Sequence, residues 1–219
     1  GTNFTLAGNR YTLMGADSYY LADYATNHTF DDNGNEINNS IIYVNEILDK
    51  AKSLNINVIR TWASMVGGNQ TSTLGSDWIQ NNTGGHFNLF LNGNITKYNE
   101  TMFKALDYVI YEASKRDIRL QLVLVNNWDT YGGMRWWVQQ STGIYTGDGT
   151  DSYHDTFYNN TAVRLAFQSY INYTLNRNNT YSGIFYKDDP AIFAWLLVNE
   201  PRSKSTGVNH SRIAQWASN

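Results

Sequence analysis

Asp189-Pro190-Ala191-Ile192-Phe193-Ala194-Trp195-Leu196-Leu197-Val198-Asn199-Glu200-Pro201-Arg202 decides how the rest of the chain is read. An unbroken apolar run of strand length ends abruptly in an amide, a carboxylate, a proline and an arginine. Such a run predicts a strand buried on both faces, as in a parallel sheet covered by helices. Glu200 then falls at the carboxyl end of that strand, where barrel enzymes keep their chemistry. A carboxylate beside a buried strand has to be partnered, neutralised or functional, because its desolvation is costly.

Working back from this strand, the order of elements predicts an α/β fold. Residues 3–6 and 11–14 flank Ala7-Gly8-Asn9-Arg10 as a short hairpin. Met14 to Tyr19 reads as a first buried strand. Ile41, Val44, Ile47, Leu48, Ala51 and Leu54 follow helical spacing behind Ser40 as N-cap. Asn57 to Trp62 is a second strand, and 63–98, rich in Gly, Asn and Thr, a long surface loop. Met102, Ala105, Leu106, Val109, Ile110 and Ala113 make a second amphipathic helix. Ile118 to Val125 is a third strand, 126–155 a second long loop, and Phe157 to Asn176 a third helix. The apolar part of that helix is Val163, Leu165, Ala166, Phe167, Tyr170 and Ile171. Ile192 to Val198 is the fourth strand, and Ile213 and Trp216 start a fourth helix. Alternating strands and helices imply a parallel sheet with right-handed crossovers. The long loops follow the second and third strands at their carboxyl ends, where they would wall a cleft. A closed (β/α)8 TIM barrel takes eight such units. Residues 1–219 read as four of them, the N-terminal half of a single barrel domain.

Composition narrows the class. The chain has 219 residues, 42% hydrophobic and 15% aromatic, enough for a sizeable core. A net charge of -3 and a pI near 5.8 imply no nucleic-acid partner. No run approaches the length of a membrane-spanning helix, so no membrane partner is expected. Gly1-Thr2-Asn3 leads straight into polar and aromatic sequence, and no signal peptide is expected in this stretch. The absence of cysteine excludes disulfides and zinc-thiolate sites. Acceptor triplets for N-glycosylation begin at Asn3, Asn27, Asn38, Asn69, Asn81, Asn94, Asn99, Asn159, Asn172, Asn178 and Asn209. An Asn- and Thr-rich chain makes some of these by chance. Their number nevertheless points to a secreted, glycosylated eukaryotic protein.

The polar and aromatic residues at the strand ends are the candidate site. Asp17 and Tyr20 follow strand one, Arg60 and Trp62 lie at strand two, Asn126, Asn127 and Trp128 follow strand three, and Asn199, Glu200 and Arg202 follow strand four. Parallel strands in register would bring them to one face. No His, Asp and Glu set has metal-ligand spacing, and no serine elbow, phosphate loop or dinucleotide fingerprint is present.

These residues resemble glycoside hydrolase family 5, and most closely its endo-beta-1,4-mannanases of fungal type. The likeness covers nearly the whole chain. It runs through Asn57-Val58-Ile59-Arg60-Thr61-Trp62, Leu124-Val125-Asn126-Asn127-Trp128 with Gly132-Gly133, Gly183-Ile184-Phe185-Tyr186-Lys187-Asp188-Asp189-Pro190, Ala194-Trp195, and Asn199-Glu200-Pro201-Arg202. The resemblance implies a retaining mechanism in which Glu200 is the general acid/base. It implies that Asn199 binds the sugar 2-hydroxyl and that Arg60 orients the nucleophilic carboxylate. Trp62, Asn126, Trp128 and Arg202 match cleft positions. The family's nucleophile is a glutamate on the seventh barrel strand, and this sequence ends before that strand. The implied partners are a beta-mannan polysaccharide and the C-terminal half of the barrel, missing from this sequence or carried on a separate chain. The mechanism needs no metal or organic cofactor.

The implied chemistry explains the residue types. A retaining glycosidase uses two carboxyl groups about 5–5.5 Å apart around an oxocarbenium-like transition state. The acid keeps its proton near working pH through burial and a neighbouring carboxylate. An amide donates to a sugar hydroxyl without adding charge, and indole faces stack on pyranose rings. Plainer readings stand beside these. Glu200 would cap the next segment, Arg60 would form a structural ion pair, Asn199 would be a turn residue, and Trp62 and Trp128 would belong to the core. Trp195 reads as core, Trp136 and Trp137 as possible cleft lining, and His86 and His154 as solvated loop residues. Asp17 stands where relatives often carry asparagine, and Leu196 where they often carry a polar residue. The alternatives to a mannanase are a family 5 beta-glucanase or cellulase, and a non-catalytic polysaccharide-binding half-barrel.

Overall fold

The computed structural model describes residues 4–26, 28–30, 36–63, 95–128, 133–144, 151–203 and 210–218. Nearly all of the loop expected over 63–98, with His86, and also Gly132, lies outside them.

A hairpin opens the chain, β1 (Thr5–Leu6) against β2 (Asn9–Arg10), with Thr5 opposite Arg10. Its turn is Ala7-Gly8 alone, with φ 49° and 80°. Positive φ at both positions is the type I′ pattern of a two-residue hairpin turn, and Gly8 adopts it without strain. Asn9 and Arg10, expected in the turn, belong to the returning strand. β3 (Gly15–Asp17) follows, then α1 (Leu21–Tyr24) and a small antiparallel pair, β4 (His28–Phe30) with β5 (Glu36–Asn38). α2 (Ile41–Ser53) buries Val44, Leu48 and Ala51, as the periodicity predicts. Ser40 stands at its N-cap position, yet its hydroxyl donates to Tyr24 O at 2.8 Å and makes no cap bond. The expected cap is a tie to α1.

β6 (Val58–Trp62), α3 (Glu100–Lys115) and β7 (Arg119–Val123) come next. Asn99 caps α3 by accepting from Thr101 N and Met102 N. The stretch 126–155, expected as loop, contains α4 (Met134–Thr142) and the start of α5 (Asp151–Asn159). The single helix expected from Phe157 breaks at Asn160, whose side chain accepts from Ala162 N and Val163 N and starts α6 (Thr161–Leu175) afresh. Leu165, expected on its apolar face, is exposed. β8 (Ile192–Leu196) and α7 (His210–Ser218) complete the described elements.

β3, β6, β7 and β8 form one parallel sheet in that order, the sequential strand arrangement of a (β/α)8 barrel arc. Asp17, Arg60, Gln121 and Ala194 share one row, and Trp62, Val123 and Leu196 the next row on the same face, two residues further along. The central strands are buried throughout, Arg60, Arg119 and Gln121 excepted. The outer strands are not: β3 is largely exposed and β8 half-buried, although its apolar run predicts full burial. Among the described residues each outer strand has a sheet neighbour on one side only. β8 also carries a bulge, with Phe193 left between the pairs Leu120–Ile192 and Gln121–Ala194. The Phe193 ring meets Phe4 edge-on at 5.3 Å, which ties the N-terminal hairpin to β8.

One continuous apolar core joins sheet and helices. Trp136 and Trp137 belong to it, at 6% and 1% exposure, so they do not line a cleft. Trp137 packs on Phe167 at 5.1 Å, and Phe157 on Trp216 at 5.3 Å, which locks α4 to α6 and α5 to α7. Trp195 packs against the core as expected. A buried carboxylate, Asp107 on α3, anchors the segment that feeds β8. It takes a bidentate pair from Arg177 (2.8 Å each), the hydroxyls of Tyr186 (2.6 Å) and Thr180 (2.8 Å), and Thr180 N at 3.2 Å. Burial first, and then the Asp107 charge, hold the Tyr186 hydroxyl protonated well above its ordinary range.

Candidate active site

The carboxyl ends of the sheet bring most of the expected residues together. Past β7 and β8 the two chains stay side by side: Asn126 and Asn199 form a parallel bridge, Asn199 N donates to Val125 O at 2.8 Å, and Asn127 N to Asn199 O at 3.1 Å. This pairing carries the backbone to Glu200, which turns with φ 51°. That left-handed conformation costs a non-glycine residue roughly 1–2 kcal/mol. It persists because the backbone is fixed on either side, by Asn199 before and by Arg202 N donating to Asn127 Oδ1 (3.1 Å) after.

Two clusters meet at this turn. In the first, Arg60 Nη2 donates to Asn199 Oδ1 at 2.6 Å, Nη1 reaches Asp17 Oδ1 at 3.4 Å, and Asn199 Nδ2 donates to Asn126 Oδ1 at 3.0 Å. The Asn199 amide is therefore oriented by two partners, its oxygen on a cation and its nitrogen on an acceptor. That nitrogen carries two hydrogens, and Asn126 takes one. Asn126 is itself buried, so its contact with the site runs through Asn199. Trp62, expected at the cleft, is 5% exposed and lies beneath Arg60, whose guanidinium sits 5.9 Å from the ring. It meets the site from below, too covered among these residues for a sugar to stack on it. Tyr20, also expected near the site, packs between Tyr19 and Tyr24.

In the second cluster, Glu200 Oε2 accepts from Trp128 Nε1 at 3.2 Å and from Arg202 Nη2 at 3.1 Å, and the Arg202 guanidinium lies 5.0 Å over the Trp128 ring. Trp128 is 39% exposed and the Glu200 side chain 51%. The burial expected around the acid is thus not supplied by the described residues. The turn that holds Trp128 explains Gly133. A Cβ there would fall inside 3.0 Å of the Trp128 backbone carbonyl and 3.1 Å from Asn126 O, closer than a side chain can sit. Met134 N then donates to Asn126 O at 3.0 Å and launches α4.

Sequence reasoning missed a third group. His154, expected as a solvated loop residue, is fully buried on α5. Its Nδ1 lies 2.7 Å from Asp155 Oδ1 and its Nε2 3.0 Å from Asn127 O, while Ser203 Oγ donates to Asp155 Oδ2 at 3.2 Å. Burial, and then the Asp155 charge, push the neighbouring Tyr158 hydroxyl up, so it stays protonated. The adjacent His-Asp pair just ahead of Phe157-Tyr158 was the available signal. It was hidden by reading 126–155 as loop. Among the described residues no group of three His, Asp or Glu could hold a metal ion, and no helix is long and apolar enough to cross a membrane.

A mannan endo-1,4-beta-mannosidase of Arabidopsis thaliana is 33% identical over 99% of this chain and 43% of its own length. One of Oryza sativa subsp. japonica is 35% identical over the same shares. The solved endo-1,4-beta-mannanase of Rhizomucor miehei superposes with a TM-score of 0.72 at 30% identity, over 99% of this chain and 53% of that one. The chain thus spans less than half the length of these curated relatives and about half of the solved structure, as expected for part of a barrel. The family model described as GH family 5 beta-mannosidase-like matches residues 1–219 throughout, and the chain belongs to that family.

Proposed function

We propose that these residues form the proton-donor half of a secreted, retaining endo-beta-1,4-mannanase, with Glu200 as general acid/base. The observation that carries this reading is the fixed pair of Asn199 and Glu200. The amide is oriented by Arg60 and Asn126, and the carboxylate beside it is reached by Trp128 and Arg202. The names of the relatives support mannan as substrate.

In the first step Glu200 gives its proton to the glycosidic oxygen as the C1–O bond breaks and a second carboxylate attacks C1. In the second step Glu200 takes a proton from water, whose oxygen replaces that carboxylate at C1. The free hydrogen of Asn199 Nδ2 donates to the 2-hydroxyl of the reacting mannose. Arg60 holds that amide and, as the family resemblance implies, would orient the second carboxylate. Trp128 and Arg202 offer a platform beside the acid. The second carboxylate, and the enclosure that holds Glu200 protonated, come from barrel strands outside these 219 residues. An apolar groove beside β8, lined by Phe167, Ile171, Leu175, Leu197 and Trp216, offers a surface on which a further strand-helix unit could pack. Secretion rests on the acceptor triplets, of which Asn159 and Asn178 stand exposed.

The test is reducing-sugar release from beta-mannan by the full-length protein, with a panel of beta-glucans alongside. Glu200→Gln is expected to lower cleavage by about 10²–10⁴-fold while mannan binding is kept. Undiminished cleavage by that variant would remove Glu200 from the mechanism, and a preference for glucan would change the substrate. Intact mass of the purified protein tests whether the second half-barrel belongs to the same chain.

A further inference from the structure

The His154–Asp155 pair takes no part in the chemistry above, yet it touches both loops that carry it. Asn127, whose carbonyl meets His154 Nε2, directly precedes Trp128. Ser203, whose hydroxyl meets Asp155 Oδ2, lies three residues past Glu200. Trp128 and Glu200 are the two ends of the 3.2 Å bond at the site. The pair comes from α5, an element outside the sheet, and both side chains are at most 1% exposed. Both ring nitrogens face oxygen acceptors, a carboxylate on one side and a backbone carbonyl on the other. A ring nitrogen facing an acceptor has to carry a hydrogen, and only the imidazolium carries two. The Tyr158 ring, 6.2 Å away on the same helix, packs edge-on, and the Asp155 carboxylate is a counter-charge in direct contact with the imidazole.

We propose that His154, held as a buried imidazolium by Asp155, is a positioning residue that clamps the Trp128 and Glu200 loops at the separation the proton transfer needs. This rests on the reading of Glu200 as acid/base. The clamp acts on alignment of the acid, so it matters most where the leaving group needs a proton. General acid catalysis contributes about 10²–10⁴-fold, and a displacement near 1 Å forfeits about 10²-fold.

Two arms test it in the full-length protein. The first is independent of substrate: the proton NMR spectrum is expected to contain two downfield ring N–H signals that vanish together in His154→Gln. A single signal would overturn the imidazolium. The second arm compares mannan with a dinitrophenyl beta-mannobioside, whose leaving group departs unprotonated. His154→Ala, and Ser203→Ala as the milder variant that leaves the buried pair in place, are expected to lower kcat on mannan by about 10–100-fold and about 3–10-fold respectively. KM, and the dinitrophenolate burst that reads the first step, should stay within about threefold, and Ser203→Thr should restore the rate. Equal losses on both substrates, or none on mannan, would overturn the clamp. A wild-type protein inert on both substrates would sink the mannanase reading, while the NMR arm still judges the imidazolium.

Discussion

Asp107→Asn isolates what burial adds to an ion pair in this fold. The Asp107 carboxylate is wholly buried and accepts five hydrogens, split between its two oxygens. An amide keeps the volume but turns one oxygen into an NH2 group. Facing either way, that group opposes Arg177 together with a hydroxyl, donor against donor. Arg177 is left with Glu100, whose side chain is 56% exposed. Breaking a buried pair from one side costs about 3–5 kcal/mol. For a chain of this size each kcal/mol lowers Tm by about 2–4 °C, so the midpoint should fall by about 6–20 °C. The same molecule contains the control. Lys52 and Asp117 form a pair at 3.1 Å with side chains 51% and 85% exposed, and such pairs contribute about 0–1 kcal/mol. Asp117 also sits at φ 54°, a conformation asparagine tolerates well, so Asp117→Asn should move Tm by about 4 °C at most. The assay is thermal unfolding of both variants at neutral pH, followed by circular dichroism. Equal shifts for the two would refute the argument that burial sets the weight of the pair.

Two further predictions concern the catalytic turn and acid stability. Gly133→Ala should push the Trp128 carbonyl away and lengthen the Trp128–Glu200 contact, lowering kcat/KM on mannan by about 10²-fold and stability by about 1–3 kcal/mol. Full activity in that variant would show that the turn relaxes freely. On Glu112, burial raises the carboxyl pKa, but bonds from Lys115 and Arg116 outweigh it and the net shift is downward. A depressed carboxylate pKa contributes stability above the unfolded value, about 4.3, and loses it as pH falls through the folded value. Tm should therefore drop from about pH 5 downward, and Glu112→Gln should flatten that limb while lowering Tm at neutral pH. Parallel curves for wild type and variant down to pH 3 would contradict it. Asp189 opposes the trend weakly, because its own burial raises its pKa.

Much of this protein was legible in one dimension, because strand and helix periods are written locally. The apolar run into Asn199-Glu200 located the fourth barrel strand, and the spacing of Val44, Leu48 and Ala51, or of Leu106, Val109 and Ile110, located two helices. Parallel registry did the rest for Asn126 and Asn199, which it sets side by side, while Arg60 lies level with Gln121 and Ala194 and reaches Asn199 through its side chain. What failed did so where a residue's environment is made by distant chain. Trp136 and Trp137 stand in a polar stretch, and only the packing of α4 on α6 makes them core. Ser40 has the chemistry of a cap, but Tyr24 O competes for its hydroxyl. The fate of Glu200 divides the same way. Sequence alone determined that a carboxylate ends a barrel strand beside an amide. Tertiary structure decided that Trp128 and Arg202 meet it, that Gly133 has no room for a side chain, and that His154 is buried behind it. The Trp128–Glu200 and His154–Asn127 contacts join residues 72 and 27 positions apart, and the strength of the buried one depends on exclusion of water, which no local pattern of residues encodes.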